Sequence, residues 1–350
     1  MRIEDIDQNF LVNAQFDTSD LAFYDILEAP FQINGLMLPQ DKADKFKRIP
    51  TELAQQVNEG VLYLHACTAG GRIRFKTNAS KIAIFVKMGL VGKMSHFPLT
   101  GSAGFDLYVD NCYERTFTPP YDLEERYSSI VQLENNREKN VMIHFPLYSE
   151  VVSVTIGLEK EAYVAAPDPY GFEKPVVYYG SSITQGGCAS RPGNAYQSII
   201  SRRLNCDHIN LGFSGSAQGE QIMADYIAQL SMEAFVYDYD HNAPTVEHLE
   251  KTHQKMFETI RKQNPELPIV MVTRPQLVPN EDSEARREII YRTYQAALDA
   301  GDTKVWFIDG GQMMRDFADD CATVDNCHPN DLGFWAMAKG IGNVLAEILK

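Results

Sequence analysis

Val176-Val177-Tyr178-Tyr179-Gly180-Ser181-Ser182-Ile183-Thr184-Gln185-Gly186-Gly187 is the stretch on which the reading of this chain turns. A short apolar run rich in β-branched and aromatic residues predicts a buried strand. It runs straight into Gly180, which lets the backbone turn sharply at little steric cost. Ala195, Ile199, Ile200 and Leu204 then mark the apolar positions of a helix. A serine at a strand-to-helix turn exposes its hydroxyl at the carboxyl edge of a sheet. Backbone N–H groups able to hold a developing oxyanion lie beside it. A phosphate-binding turn and a plain capped turn share this outline, since Ser is a common N-cap.

A serine nucleophile needs a base, and the base needs a group to orient it. Near the C-terminus the chain reads Val324-Asp325-Asn326-Cys327-His328-Pro329-Asn330-Asp331. Asp325 and His328 are three apart, so one turn can bring the carboxylate to the imidazole. Taken alone, a D-x-x-H pair is more often a solvated Asp and a loop His. Here Ser182, Asp325 and His328 follow in the chain order of several α/β hydrolases.

These residues, with two blocks between them, resemble the SGNH (GDSL-type) hydrolase superfamily. Gly180-Ser181-Ser182-Ile183-Thr184 is similar to the first block, with Ser182 at the nucleophile. Asn210-Leu211-Gly212-Phe213-Ser214-Gly215 is similar to the second, with Gly215 at the oxyanion glycine. Asp238-Tyr239-Asp240-His241-Asn242-Ala243 stands for the third, with Asn242 at the oxyanion asparagine. Asp325-Asn326-Cys327-His328 stands for the fifth. The chain departs from the pattern twice: Ser181 replaces the commoner Asp, and Asp240 replaces the glycine two residues before the asparagine. The resemblance implies a serine esterase in which Ser182 attacks, His328 is the base and Asp325 orients it. Gly215 and Asn242 then complete the oxyanion hole, and no cofactor is needed. His241, next to Asn242, is a rival base. Asp238 and Asp240 with one His lack a complete ligand set, so no metal is expected.

From Lys174 onward, strands and helices alternate. Strands are predicted at Val176–Tyr179, His208–Leu211, Phe235–Tyr239, Ile269–Thr273 and Val305–Ile308. Helices are predicted at Asn194–Leu204, Gln221–Leu230, Val246–Gln263, Ser283–Ala300 and Phe334–Leu349. Such alternation implies an α/β fold with a parallel sheet covered on both faces. Five strands fit a flavodoxin-like, doubly wound sheet, whose ligands bind beyond the carboxyl ends of the strands. Ser182, Gly215 and Asn242 each follow a predicted strand. A nucleotide-binding reading lacks any Walker or G-x-G-x-x-G pattern. Glu220 is expected to cap a helix, Cys188 to form a wall, and Phe334-Trp335-Ala336-Met337 to be helix core.

Residues from about 20 to 165 read as β-rich. The runs Leu62–Ala66, Ile73–Lys76, Ile82–Val86, Phe105–Val109, Val141–Phe145 and Val151–Ile156 are short and β-prone. Turn signals such as Gly70-Gly71 and Asp110-Asn111 separate some of them. Many short strands without helices suggest an all-β, jelly-roll-like sandwich. Arg48-Ile49-Pro50 and the charges of Lys42–Lys47 read as a surface approach to it. Gly104-Phe105-Asp106-Leu107-Tyr108 matches the G-x-D-L-Y signature of a β domain that precedes a subset of SGNH esterases. Asp106 is expected to be structural, hydrogen-bonding a neighbouring loop. Pro167 and Pro169 mark the linker, giving domains 1–167 and 168–350. The short, stiff connection predicts fixed packing, with the Lys93–Ser102 stretch lending part of the substrate pocket.

The net charge is −15, which argues against nucleic acid and anionic membranes as partners. Met1-Arg2-Ile3-Glu4-Asp5-Ile6-Asp7 has no apolar core, so no signal peptide is read there. The six cysteines, Cys67, Cys112, Cys188, Cys206, Cys321 and Cys327, form no C-x-x-C pair, so zinc is not expected. They read as reduced thiols of a cytoplasmic protein, with a Cys321–Cys327 disulfide as the alternative. The expected substrate is a small-molecule or sugar ester carrying a small acyl group, acetyl foremost. The alternative is a glycan-binding protein with an inactive hydrolase domain.

Overall fold

The computed structural model describes residues 15–41, 44–318 and 320–350, with positions 3, 6, 7 and 12 before them. Lys42 and most of the acidic N-terminal run (Met1, Arg2, Glu4 and Asp5) lie outside the described residues.

Among the described residues the N-terminal half holds ten strands: β1 (Leu21–Asp25), β2 (Gln32–Asn34), β3 (Arg72–Thr77), β4 (Lys81–Met88), β5 (Phe105–Val109), β6 (Cys112–Phe117), β7 (Arg126–Gln132), β8 (Lys139–His144), β9 (Val151–Glu159) and β10 (Val164–Ala165). They form two antiparallel sheets, β1-β9-β4-β7 and β10-β3-β8-β5-β6, with β2 also paired to β3. Phe75, Ile82, Ile84, Phe105, Leu107, Phe145 and Ile156 fill the space between the sheets. Asp110 and Asn111 both take positive φ, 48° and 66°. That is the geometry of a two-residue hairpin turn, here joining β5 to β6.

The C-terminal half contributes β11 (Val176–Gly180), β12 (His208–Gly212), β13 (Ala234–Asp238), β14 (Ile269–Val272) and β15 (Val305–Ile308). All are parallel, in the order β12-β11-β13-β14-β15, which is the flavodoxin-like order. Nearly every residue of β11, β13 and β14 is buried, as a sheet covered on both faces requires. Caps start the covering helices where the sequence offers them. Thr245 accepts from the His248 N–H ahead of Val246–Gln263. Asn280 and Ser283 cap each other reciprocally at Glu281–Asp299. Asn330 accepts from Leu332 and Gly333 at Asp331–Ile348. In that last helix Phe334, Ala336 and Met337 are buried as expected, while Trp335 is exposed.

Two expectations are corrected. Leu62–Ala66 is no strand: Glu59–Leu64 is a short helix, started by the Asn58 side chain on the Val61 N–H. Val61 and Leu64, one turn apart, are its buried residues. Arg48-Ile49 is no surface approach, because both residues are buried. Ile49, Ala54, Val61, Leu64 and Cys67 join the same apolar cluster as Leu211, Phe213, Met223 and Tyr237 of the parallel-sheet half.

Arg48 and Arg72 reach the outer edge of the parallel sheet. β12 is its edge strand, and every second carbonyl of an edge strand points away from the sheet. Those carbonyls are His208, Asn210 and Gly212. Arg72 donates to the His208 carbonyl at 3.1 Å and to the Asp207 carboxylate. Arg48 donates to the carbonyls of Asn210, at 3.4 Å, and Gly212. It also donates to those of Leu64 and Cys67, both at 2.8 Å, and lies 4.4 Å over the Phe213 ring.

The G-x-D-L-Y segment makes a second junction. Asp106 is fully buried and accepts from Thr116 Oγ1 at 2.7 Å, the Gly193 N–H at 2.8 Å and Arg191 at 3.1 Å. The expected structural role is met, and the neighbouring loop belongs to the other half. Gly193 must lack a side chain there: a Cβ would lie 2.3 Å from the Tyr108 hydroxyl.

Replacing Arg72 by Met keeps an unbranched stem but takes the guanidinium away from Asp207 and from the carbonyls of Gly70 and His208. Removing one member of a buried pair costs about 3–5 kcal/mol. The urea unfolding midpoint of the full chain is expected to fall accordingly, and an unchanged midpoint would show that the edge is held by other contacts.

Candidate active site

Ser182 opens a one-turn helix, Ser182–Gln185, directly after β11. Ser181 is its N-cap, accepting from the Ile183 N–H at 3.1 Å. The Ser182 hydroxyl therefore sits at the carboxyl edge of the sheet, with its N–H at a helix start. Its Oγ is 2.9 Å from His328 Nε2. On the far side of the ring, His328 Nδ1 is 2.7 Å from Asp325 Oδ2. Asp325 Oδ1 also accepts the backbone N–H groups of Cys327 (3.1 Å) and His328 (2.7 Å). One turn of chain thus fixes the carboxylate and the imidazole together.

The other two expected residues face the same edge. Asn242, in the turn Asp240–Asn242 after β13, is buried, and its Nδ2 donates to the Phe213 carbonyl at 2.9 Å. An amide nitrogen carries two hydrogens, so one remains for a ligand. Gly215 follows β12 with φ at 66° and has open space where a Cβ would stand. Gln185 ties this loop to the serine turn by accepting from the Ser214 N–H at 3.0 Å. Asp240 accepts from the N–H groups of His241 (2.9 Å) and Arg274 (3.0 Å). A carboxylate at this position pins the turn to the loop after β14.

The remaining candidates separate. His241 Nε2 lies 3.1 Å from Cys327 Sγ, while the Ser182 hydroxyl is met by His328. Asp238 is buried with Thr184 and Tyr196 as partners, and burial pushes its carboxyl well above the usual range. Glu220 stands at a helix N-cap, but its carboxylate bonds Asn58 (2.6 Å) and the Tyr179 hydroxyl (3.0 Å) instead of the helix. All six cysteines are free, so Cys321 and Cys327 are not bridged. Cys188 is buried, at φ 77°.

Electrostatics centre on Cys327. Its hydrogen bond is the largest cause raising His328, whose imidazole is pushed up to about 9; burial opposes this and Asp325 adds to it. Burial pushes the Cys327 thiol up, but His241 and His328 outweigh it and bring it down to about 6. Burial likewise disfavours ionised Asp325, and the His328 hydrogen bonds still hold its carboxyl below the usual range.

The N-terminal half supplies contacts that the serine motif alone does not reveal. The Tyr148 hydroxyl donates to the Ser182 carbonyl at 3.0 Å. His96, inside the expected Lys93–Ser102 stretch, has its ring 6.0 Å from that of His328. Thr100 Oγ1 donates to the Ser190 carbonyl at 2.6 Å, and the Ser190 N–H donates to Asp331 at 2.8 Å, three residues beyond His328.

Residues 173–346 match the model of the GDSL-like lipase/acylhydrolase family. Residues 21–164 match that of the GxDLY N-terminus of SGNH-hydrolase-type esterases. The chain belongs to this family of GxDLY-bearing SGNH hydrolases. It is a carboxylic ester hydrolase of the GDSL type. A solved structure from Bacteroides ovatus, described as a GDSL-like lipase, is 26% identical with TM-score 0.82, over 94% of this chain and 98% of that one. The salicylyl-acyltransferase SsfX3 of a tetracycline biosynthetic pathway is 19% identical with TM-score 0.77, over 95% and 98%. A family two carbohydrate esterase from Clostridium thermocellum, in complex with cellohexaose, is 15% identical with TM-score 0.61, over 91% and 99%. The last two likenesses concern the fold. A comparison with curated proteins returns no match.

In this SGNH hydrolase the His328 imidazole is expected to titrate near pH 9, well above an ordinary histidine. Replacing Cys327 by Ser removes the largest cause, so the midpoint should move down toward the ordinary range. A pH titration of the histidine ring signals by NMR measures both, and equal midpoints in the two proteins would refute the coupling.

Proposed function

We propose that Ser182, His328 and Asp325 carry out acyl transfer to water, and that the substrate is a small acyl ester, acetyl foremost, of a sugar or small polar natural product. The observation that carries this reading is the unbroken chain Asp325 Oδ2–His328 Nδ1 and His328 Nε2–Ser182 Oγ, at 2.7 and 2.9 Å. A non-catalytic glycan-binding role would not need these groups aligned. His241 is occupied by Cys327, which favours His328 as the base.

In this mechanism Ser182 Oγ attacks the ester carbonyl carbon while His328 Nε2 takes the hydroxyl proton. Asp325 holds the ring and stabilises its cation. The tetrahedral oxyanion is received by the N–H groups of Ser182 and Gly215 and by the second Asn242 amide hydrogen. The carbon–oxygen bond to the alcohol then breaks, and His328 returns its proton to the leaving alcohol. Water attacks the acyl-Ser182, gives a proton to His328, and the carboxylic acid leaves with the serine restored. Since only the neutral imidazole accepts a proton, turnover should rise with pH through the His328 titration.

Two considerations support the substrate class. The side chains met beside His328, the partner of Ser182, are polar: Asp325 on its Nδ1 at 2.7 Å and His96 with its ring 6.0 Å away. Structural neighbours include carbohydrate esterases and a salicylyl-acyltransferase from a tetracycline biosynthetic pathway.

Ser182→Ala is expected to lower hydrolysis of a chromogenic acetate ester by at least about 10³ while the circular dichroism spectrum stays unchanged. Asn242→Ala should lower kcat by roughly 10²–10³ with little change in KM. Full turnover by the serine variant would end the mechanism. A loss confined to KM would make Asn242 a substrate-binding residue only.

A further inference from the structure

The face of His328 turned toward the N-terminal half carries two more donor side chains. His96 is exposed on its loop, and Cys188 is buried just past the serine turn. One ligand atom from each of His96, Cys188 and His328 can be chosen so that all three lie within 4.8 Å of one another. Two imidazoles and a thiol are a donor set that zinc accepts, with bonds of about 2.0–2.3 Å that place tetrahedral ligands about 3.3–3.8 Å apart. Closing the remaining gap takes roughly 1 Å of movement, which an exposed loop residue such as His96 can supply. His328 is also prepared for such a role. Its Nδ1 is engaged by Asp325 at 2.7 Å, the carboxylate–histidine arrangement that orients metal-binding imidazoles and leaves Nε2 as the donor.

We propose that His96, Cys188 and His328 form an inhibitory site for a thiophilic divalent cation, zinc being the chemical fit, which withdraws His328 from Ser182. Binding is a ligand exchange with no change of oxidation state. The Cys188 proton leaves to solvent, the thiolate sulfur and two imidazole nitrogens bond the cation, and coordinated water is released. Once Nε2 donates its lone pair to the metal, it no longer accepts the Ser182 proton. The inhibition rests on His328 being the base; the binding does not. The arrangement joins two halves of the chain, since His96 comes from the sandwich and the other two donors from the parallel-sheet half. No spacing in the sequence announces it. A second cluster, Asp325, Cys327 and His328, also has its donors within 4.8 Å of one another. There the Asp325 carboxylate is already committed to His328 Nδ1, and that ring nitrogen is not available to a metal.

The experiment titrates zinc chloride into the full-length protein in chelator-treated, reducing buffer and follows acetate-ester hydrolysis. Saturable inhibition at one zinc per chain, reversed by a chelator, is expected. His96→Ala and Cys188→Ser, each measured against its own zinc-free rate, should raise the half-inhibitory zinc concentration at least about tenfold. That is the lower end of the loss seen when even an outer partner of a metal ligand is removed. Cys327→Ser should leave the zinc sensitivity in place. Cobalt(II) gives a readout independent of activity. A thiolate-to-cobalt charge-transfer band should form in the wild type and in Ser182→Ala, and be missing in Cys188→Ser. Failure of the serine mechanism would leave this band intact, so the two ideas fail separately. The proposal is overturned by full activity in millimolar zinc, by unchanged inhibition and an unchanged band in Cys188→Ser, or by their loss in Cys327→Ser alone, which would move the site to the second cluster.

Discussion

The outer edge of β12 is the constraint on which the arrangement of this protein depends. A parallel sheet must end somewhere, and its last strand presents a row of unpaired carbonyls. Here the row is His208, Asn210 and Gly212, and it is closed by guanidinium groups instead of another strand. Burying a cation is costly, and burial, the largest cause, brings Arg48 down to about 10. What offsets the cost differs at the two ends. Arg72 has the Asp207 carboxylate. Arg48 has four carbonyls and the face of Phe213, with no carboxylate among the described residues bonded to it. The Gly212 carbonyl held by Arg48 is the last of β12, and the loop that carries Gly215 begins there. The position of Gly215 is therefore set partly from the N-terminal half.

The second junction acts on the other side of the serine. Asp106 and Tyr108 hold Arg191 and Gly193, Thr100 holds Ser190, and Ser190 holds Asp331 at the start of the last helix. His328 lies three residues before that helix start. The serine turn and the histidine loop are far apart in sequence, yet both abut a segment clamped by the sandwich. A distance of 2.9 Å between Ser182 and His328 needs such a frame, because Ser182 opens a one-turn helix and His328 sits on a loop.

How much of this could be read beforehand follows from the physics of each element. The parallel strands are legible because burial on both faces leaves continuous apolar runs such as Val176–Tyr179 and Ile269–Val272. Ser182, Asn242, Asp325 and His328 are legible because their contexts are local. β6 and β7 are not: Cys112–Phe117 is mostly exposed and Arg126–Gln132 carries polar residues on both faces. Leu62–Ala66 misleads because a short apolar run has no period long enough to separate strand from helix. Arg48 misleads more sharply, since a charged residue beside a lysine-rich stretch reads as surface. Its burial depends on carbonyls more than 160 residues away in sequence. Cys327 is adjacent to His328 in the sequence, but its partner His241 is 86 positions distant, and only folding makes the thiol electrostatically important.

The fit of Gly193 beneath Tyr108 has a consequence for how such proteins can diverge. A tyrosine hydroxyl 2.3 Å from where a Cβ would stand leaves no room for a side chain at 193 unless the Tyr108 ring moves or is replaced. The two positions are thus expected to covary across relatives and to be inherited as a pair. Recombination that joins the sandwich of one lineage to the hydrolase of another would then be tolerated only where both sides of this contact travel together.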